Sequence, residues 1–213
     1  MRATRIIAVR HGETAWNVDA RIQGQLDIPL NHKGRWQAQR VARALAGRDP
    51  VSALYSSDLS RARDTAGSIA EATGLEVVTE AGLRERAFGS FEGQTFTEVE
   101  TSWPEQTMRW RQRDPDWTPP GGESLTRLRE RVLQITHGLA ERHIGEQIVL
   151  VSHGGVLDAL YRAATGLDLQ APRTWTLLNA GINRLLWTPQ GLTMVGWSDM
   201  AHLEDEWLDQ TTA

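Results

Sequence analysis

Two histidines in the chain each follow a short apolar segment and precede a glycine. His11 comes one residue after the segment 5–9, and His153 comes one residue after the segment 147–151. An open α/β sheet presents functional groups where its parallel strands end, so we expect both imidazoles at one edge of a sheet. A neutral imidazole can act as a nucleophile near pH 7, and the adjacent Arg10 both disfavours protonation of His11 and can bind an oxygen of a phosphate. A lone histidine after a strand is more often a hydrogen-bonded structural residue, so the prediction of chemistry depends on the pair.

The motifs around the two histidines are Arg-His-Gly-Glu-Thr at 10–14 and Ser-His-Gly-Gly at 152–155. They resemble the histidine phosphatase superfamily (branch 1), the phosphoglycerate mutase-like proteins, whose members carry such a signature after the first strand and a second His-Gly after a later strand. The resemblance covers nearly the whole chain, and so many matches in order are highly specific. The further matches are at 16–17, 23–24, 27–30, 57–62, 65–66, 83–85, 88–89, 92–93 and 121–124.

The resemblance implies a role for each residue of a phosphoryl-transfer site. It implies a covalent phosphohistidine at His11, a second phosphate-binding arginine at Arg61 and the general acid at Glu85. The negative charge of a phosphate favours the protonated form of a neighbouring carboxyl, which suits an acid that must protonate a departing alkoxide.

Other residues are expected to complete the phosphate site. Arg61 begins a predicted helix, so its guanidinium and the helix amino terminus can both face an anion. His153 is expected to donate to the transferring phosphate together with the backbone amides of Gly154 and Gly155. Secondary contacts to phosphate or substrate are predicted for Asn17, Gln23 and Gly24.

The order of predicted elements indicates an α/β fold: a three-layer α/β/α sandwich with a mostly parallel central sheet, one antiparallel edge strand and a small helical cap insertion. Residues 1–213 are expected to form a single domain. The segment 94–120 is rich in Trp, Arg and Pro and is expected to form the cap. Strands are predicted at 5–9, 51–55, 75–78 and 147–151, helices at 34–46, 59–73, 123–142 and 156–165, and a hairpin at 182–187 and 192–197.

The composition excludes several classes of function. The chain has 213 residues, no cysteine and a net charge of −4 at pH 7. Thiol nucleophiles and thiolate metal sites are therefore excluded, and a general nucleic-acid binder is disfavoured. Without a signal-type or membrane-length apolar stretch, we expect a cytoplasmic protein with no membrane partner. The expected partner is a small phosphorylated substrate, and the oligomeric state stays open, with a homodimer as one option.

A metal site is the main alternative for the chemistry, because two histidines with Glu85 and Asp58 could ligate zinc or manganese. The density of arginine argues against it, since guanidinium groups repel a divalent cation and already neutralise phosphate. We therefore expect no metal and no cofactor.

Three functions remain open at this stage. A phosphomonoesterase would pass the phosphoryl group from His11 to water, and a phosphoglycerate mutase would return it to another oxygen of the substrate, with 2,3-bisphosphoglycerate as a primer. The mutases carry a longer insertion with a Trp-Arg-Arg-Ser-Tyr-like run, which the segment 110–114 matches only in part, so phosphatase is favoured. The third is an inactive interaction module, which retention of all the expected catalytic residues disfavours.

Overall fold

A computed structural model describes residues 3–47 and 50–204. None of the helices in these two ranges combines the length and apolarity needed to cross a bilayer. In chain order the elements are β1 (Thr4–Arg10), α1 (Ala15–Val18), α2 (His32–Ala46), β2 (Ala53–Ser56), α3 (Ser60–Thr73), β3 (Val77–Thr79), α4 (Phe96–Ser102), α5 (Pro104–Arg111), α6 (Leu125–Glu141), β4 (Gln147–Ser152), α7 (Gly154–Thr165), β5 (Ile182–Thr188) and β6 (Gly191–Asp199).

The strands form one sheet in the order β3-β2-β4-β1-β5-β6. The strands β1 to β4 pair in parallel, β5 runs antiparallel to β1, and β6 runs antiparallel to β5. The predicted hairpin at the sheet edge is confirmed. The antiparallel strand, however, is not the edge strand: β5 lies one position inside the sheet, because the turn at residues 189–190 returns the chain and places β6 outside it.

Helices cover both faces of the sheet, so the three-layer arrangement is confirmed. Successive side chains of β1 point to opposite faces, as in any strand. Ile6 and Ala8 pack in a core cluster with α6 and α7, whereas Ile7 and Val9 pack in a second cluster with α2 and α3. The strand β4 contributes to both clusters, which explains its uninterrupted apolar sequence.

Helix ends follow local capping groups. Ser124 caps α6, because its side chain accepts a hydrogen bond from the Arg127 amide at 3.2 Å. The helix α2 begins two residues earlier than predicted because Asn31 caps it, accepting from the Gly34 amide at 2.7 Å. The helix α7 begins at Gly154 rather than at residue 156, so its first turn directly follows His153.

The predicted cap insertion contains α4 and α5. Pro104 occupies the first turn of α5, where its missing N–H removes no helical hydrogen bond. The segment has a small core of its own, formed by Phe91, Val99 and Trp117, with Trp110 packed against it. Phe96, Trp110 and Arg111 of the insertion line a cavity together with Arg10, so the insertion forms a wall beside the carboxyl end of β1.

Candidate active site

The two histidines predicted to act together are neighbours in space. Arg10 and Ser152 are register partners on the adjacent parallel strands β1 and β4, and the His11 amide donates to the Ser152 carbonyl oxygen at 2.9 Å. The rings of His11 and His153 therefore emerge side by side, with centroids 5.2 Å apart and planes inclined by 55°. Both residues are buried.

A backbone contact fixes the tautomer of His11. Its Nδ1 lies 2.7 Å from the Gly12 carbonyl oxygen. Because a carbonyl oxygen only accepts, Nδ1 carries the proton and Nε2 keeps its lone pair. Burial lowers the pKa of His11 well below its usual value, and the positive charges of Arg10 and Arg61 lower it further. The ring is therefore a neutral imidazole with Nε2 available as a nucleophile.

The loop that carries His11 packs tightly against α2 and is held from two other sides. A Cβ at Gly12 would lie 2.4 Å from the Gly34 carbonyl oxygen, so a side chain does not fit there. The Gly12 amide donates to Thr65 Oγ1 at 3.0 Å, and Asn179 Nδ2 donates to the His11 carbonyl oxygen at 3.0 Å. Asn179 was not predicted from the sequence. Its only signal is a polar residue just before the β5 strand.

Arg61 lies in the first turn of α3 and is fully buried. Its Nη1 donates to the Leu26 carbonyl oxygen at 2.8 Å and its Nη2 to the Gly24 carbonyl oxygen at 2.7 Å. Burial lowers the pKa of this guanidinium, while the nearby acidic residues, Glu85 first, raise it. The loop at 24–26 therefore holds the predicted second arginine rigidly.

Several buried nitrogens around His11 have no hydrogen-bond partner in the described residues. They are the N–H donors Nε of Arg10 and Nε of Arg61, and both ring nitrogens of His153, of which a neutral ring protonates one. Burial, followed by the charges of His11, Arg61 and Arg10, lowers the pKa of His153 well below its usual value, so this ring is neutral too. Buried polar groups are rarely left unsatisfied unless a ligand completes them. This cluster of unsatisfied donors is suited to an oxyanion.

Glu85 lies at the amino terminus of α7. Its carboxylate accepts from the Gly155 amide at 3.0 and 3.1 Å and from the Arg86 amide at 2.7 Å. The Gly155 amide was expected to face the phosphate, which is wrong, because the carboxylate already occupies this positive helix end. An ideal Cβ at Gly154 would lie 3.7 Å from both Arg10 Nε and Glu85 Oε2, so Gly154 sits between the first arginine and the predicted acid.

The backbone next to Glu85 is held by Arg131 of α6, for which the sequence predicts only a place in a helix. Arg131 Nη1 donates to the carbonyl oxygens of Gly82 and Arg84 at 2.7 and 2.9 Å. Its guanidinium also pairs with Glu123 at 2.8 Å. A buried anchor of this kind could not be distinguished in the sequence from the other arginines of the chain.

A cavity of about 180 Å³ lies at the carboxyl end of β1. Gln23 Oε1 accepts from Thr14 Oγ1 at 3.0 Å, and Asn17 Oδ1 accepts from the Thr14 amide at 3.0 Å. The side-chain amide groups of Gln23 and Asn17 thereby keep their N–H donors for a ligand. His153 is buried beside His11 and does not line this cavity. Seven of the predicted site residues line it: Arg10, His11, Asn17, Gln23, Gly24, Arg61 and Glu85.

A larger cavity of about 910 Å³ adjoins the smaller one and shares Arg10, Glu85 and Phe88 with it. Gly154 lines this larger cavity. Of the three tryptophans in the segment 94–120, only Trp110 lines it. Trp117 is buried in the core of the cap and Trp103 is 39% exposed.

The residues considered as metal ligands do not converge. Asp58 accepts two hydrogen bonds from Arg84, at 2.7 and 2.5 Å, and lines neither cavity. The hydrogen bond from Arg84 is the main cause of its lowered pKa. Within residues 3–47 and 50–204, no three His, Asp or Glu side chains are grouped closely enough to hold a metal ion.

The parallel sheet, the paired histidines and the arginine-lined cavity together define a phosphate-directed α/β site. The chain belongs to the histidine phosphatase superfamily (branch 1), whose family model matches residues 6–200. The resemblance drawn from the motifs is therefore confirmed.

Named relatives include both phosphatases and mutase-like proteins. The chain is 41% identical to phosphoglycerate mutase-like protein 4 of Arabidopsis thaliana, over 94% of this chain and 87% of the relative. It is 40% identical to the metal-independent phosphoserine phosphatase of the same plant, over 94% and 83%. A solved structure of mycobacterial glucosyl-3-phosphoglycerate phosphatase with VO3 matches with a TM-score of 0.78 and 36% identity, over 87% of this chain and 91% of that one.

Proposed function

We propose that this protein is a phosphomonoester hydrolase that acts through a phosphohistidine at His11 on a small phosphorylated metabolite. The observation that carries the proposal is the set of buried, unsatisfied donors beside a neutral imidazole whose Nε2 is free to attack. Such an arrangement favours a group that is both anionic and electrophilic, which describes a phosphate monoester.

In the first step, His11 Nε2 attacks phosphorus and the bond between phosphorus and the ester oxygen breaks. The guanidinium groups of Arg10 and Arg61, which line the phosphate cavity, spread the charge of the transferring oxygens. His153 lies beside His11 but does not line that cavity, so its donation to the phosphate stays a prediction. The phosphate charge favours a proton on the Glu85 carboxyl, which then passes to the leaving alkoxide. The products are an alcohol and a phosphohistidine.

In the second step, water attacks the phosphohistidine. The Glu85 carboxylate, now ionised and held by the Gly155 amide, takes a proton from that water. The nitrogen–phosphorus bond breaks, inorganic phosphate leaves and His11 Nε2 regains its lone pair. The cycle needs no metal and no cofactor.

Two features of the cap favour hydrolysis over mutase activity: its arginines are already paired, and the cavity beside it is large. The arginines of the partial mutase-like motif are already engaged, Arg111 with Glu100 at 2.7 Å and Arg113 with Asp158 at 2.8 Å. The adjoining cavity of about 910 Å³ has room for a bulky alcohol and for water, whereas a mutase must keep water away from its intermediate. Relatives with mutase-like or probable phosphoglycerate mutase names keep phosphoglycerate mutase as the second candidate.

The experiment is a panel of phosphate esters assayed for inorganic phosphate, with interconversion of 3- and 2-phosphoglycerate followed in parallel. We expect phosphate release without added 2,3-bisphosphoglycerate. Interconversion that requires this primer and releases no phosphate would replace the proposal with a mutase. Failure to act on any ester, together with no acid-labile phosphate on the protein, would identify an inactive interaction module.

A further inference from the structure

The larger cavity carries an excess of positive charge, although the whole chain has a net charge of −4. Two acidic residues, Glu85 and Asp158, line it with five arginines. The alcohol portion of a substrate would lie in this cavity when its phosphate occupies the smaller one. The five arginines are Arg10, Arg86, Arg111, Arg113 and Arg173.

Three of the arginines beyond the phosphate site already have partners. Arg86 donates to two backbone carbonyl oxygens, at 2.8 and 3.5 Å. Arg111 pairs with Glu100, and Arg113 pairs with Asp158. The donors of these three guanidinium groups are therefore already engaged within the protein.

Arg173 differs from them. It is exposed and makes no hydrogen bond or ion pair with the described residues. Arg173 lies near two other cations, Arg10 and Arg113. Burial is the main cause of the lowered pKa of each, and the positive charge of Arg173 lowers both pKa values further. A cation held among like charges without a counter-ion is a ready binding group for a second anion.

The segment 172–178, which carries Arg173, is anchored at the cavity wall. Trp175 stacks on Tyr161 with ring centroids 4.0 Å apart and planes inclined by 18°. Nη1 of Arg10 donates to the Leu177 carbonyl oxygen, so the segment is tied directly to the phosphate site. Arg173 is thus presented from a fixed backbone to the same space that the substrate alcohol would occupy.

We propose that Arg173 determines substrate specificity by binding a carboxylate on the alcohol portion of the phosphomonoester. The proposal rests on the proposed function, because it assumes that the phosphate lies at His11. It places the second charge-recognising group in the connection between α7 and β5 rather than in the cap helices. The expected substrate class is therefore phosphorylated hydroxy acids or amino acids.

The test is Arg173→Gln, assayed on substrate pairs that differ only in the carboxylate. The pairs are 3-phosphoglycerate with glycerol 3-phosphate, and O-phosphoserine with phosphoethanolamine. We expect KM for the carboxylated member to rise about tenfold, as for the loss of one charge-assisted contact, with KM for the member without a carboxylate unchanged within a factor of two. Added salt should reduce the preference of the wild-type protein and leave the variant nearly unaffected.

Arg43→Gln is the matched control, because this substitution removes the same charge from a different place. Arg43 is exposed on α2 and lines neither cavity. It should leave the preference for carboxylated esters intact. The proposal would be overturned if Arg173→Gln raised KM equally for both members of each pair. It would also be overturned if the wild-type protein showed no preference for carboxylated esters. Hydrolysis of p-nitrophenyl phosphate separates the two proposals. If the wild-type protein did not hydrolyse this ester, the proposed phosphatase activity would be wrong, whatever the result for Arg173.

Discussion

The rings of His11 and His153 lie 5.2 Å apart because the residues before them, Arg10 and Ser152, are paired across two parallel strands. Two imidazoles so close together, both buried and both near Arg10 and Arg61, cannot easily be protonated. Their neutrality is a requirement of the proposed mechanism, and it also has a consequence for stability.

The stability of the protein should fall as pH decreases below about 6.5. Above the ordinary histidine pKa of about 6.5, folded and unfolded states bind equal numbers of protons at these sites. Below pH 6.5 both histidines bind protons in the unfolded chain but not in the folded protein, because the pKa values of His11 and His153 are lowered by folding. Each histidine therefore contributes a slope of up to about 1.4 kcal/mol per pH unit until its folded-state pKa is reached. Urea unfolding between pH 7.5 and 5.5 measures the slope.

His11→Ala provides the comparison for this pH dependence, since other groups also titrate in the same range. The variant should lose roughly half of the slope contributed by the pair, whatever its stability at pH 7.5. Identical slopes in wild type and variant would mean that His11 binds protons equally well in the folded state.

Gly155→Ala should impair acid catalysis. A Cβ at this position would lie 2.3 Å from Glu85 Oε1, so the carboxylate must move. Turnover of alkyl phosphates should fall about 100-fold, the lower end of what a general acid contributes. Gly138→Ala in α6 is the control, because a Cβ there meets nothing within 4 Å, and it should leave steady-state turnover unchanged. Equal rates for the two variants would show that Glu85 tolerates displacement.

Glu85→Gln should slow esters in proportion to the basicity of their leaving group. An alkoxide needs a proton as the bond to phosphorus breaks, whereas a nitrophenolate leaves without one. Across a series of aryl and alkyl phosphates, the variant should therefore give a steeper dependence of kcat/KM on leaving-group pKa than the wild type. If the two dependences were parallel, the acid role would have to be assigned elsewhere.

Chelation should leave activity unchanged. Arg10 and Arg61 supply the positive charge at the phosphate site, and Asp58 is bound by Arg84 rather than directed towards the histidines. Assays after dialysis against EDTA check this expectation. A loss of activity that zinc or manganese restores would require a metal in the mechanism.

Much of this site could be predicted because its residues lie next to strand and helix ends. His11 and His153 follow predicted strands, and Arg61 follows a strand into a predicted helix, so topology alone brings them to one sheet edge. The roles of Arg131 and Asn179 could not be predicted, because they act through backbone carbonyl oxygens of distant segments. Such contacts leave no spacing pattern in the sequence.

The errors also have physical causes. The helix α7 begins two residues early because two glycines tolerate the helical conformation when Glu85 satisfies the Gly155 amide. That carboxylate comes from a loop 70 residues away, so neither the helix start nor the occupied amide was evident in the local sequence. Likewise, the turn made the hairpin predictable, but nothing in the sequence indicated the side of β1 on which β5 would pair.

Locating the phosphoryl group on the protein tests directly whether His11 is the nucleophile. The protein is mixed with a nitrophenyl phosphate, quenched in alkali within milliseconds and digested, and the peptides are sequenced by mass spectrometry. We predict one acid-labile, alkali-stable phosphoryl group on His11, absent from His11→Ala. Phosphate on His153, or turnover of the ester by His11→Ala at the wild-type rate, would show that His11 is not the nucleophile.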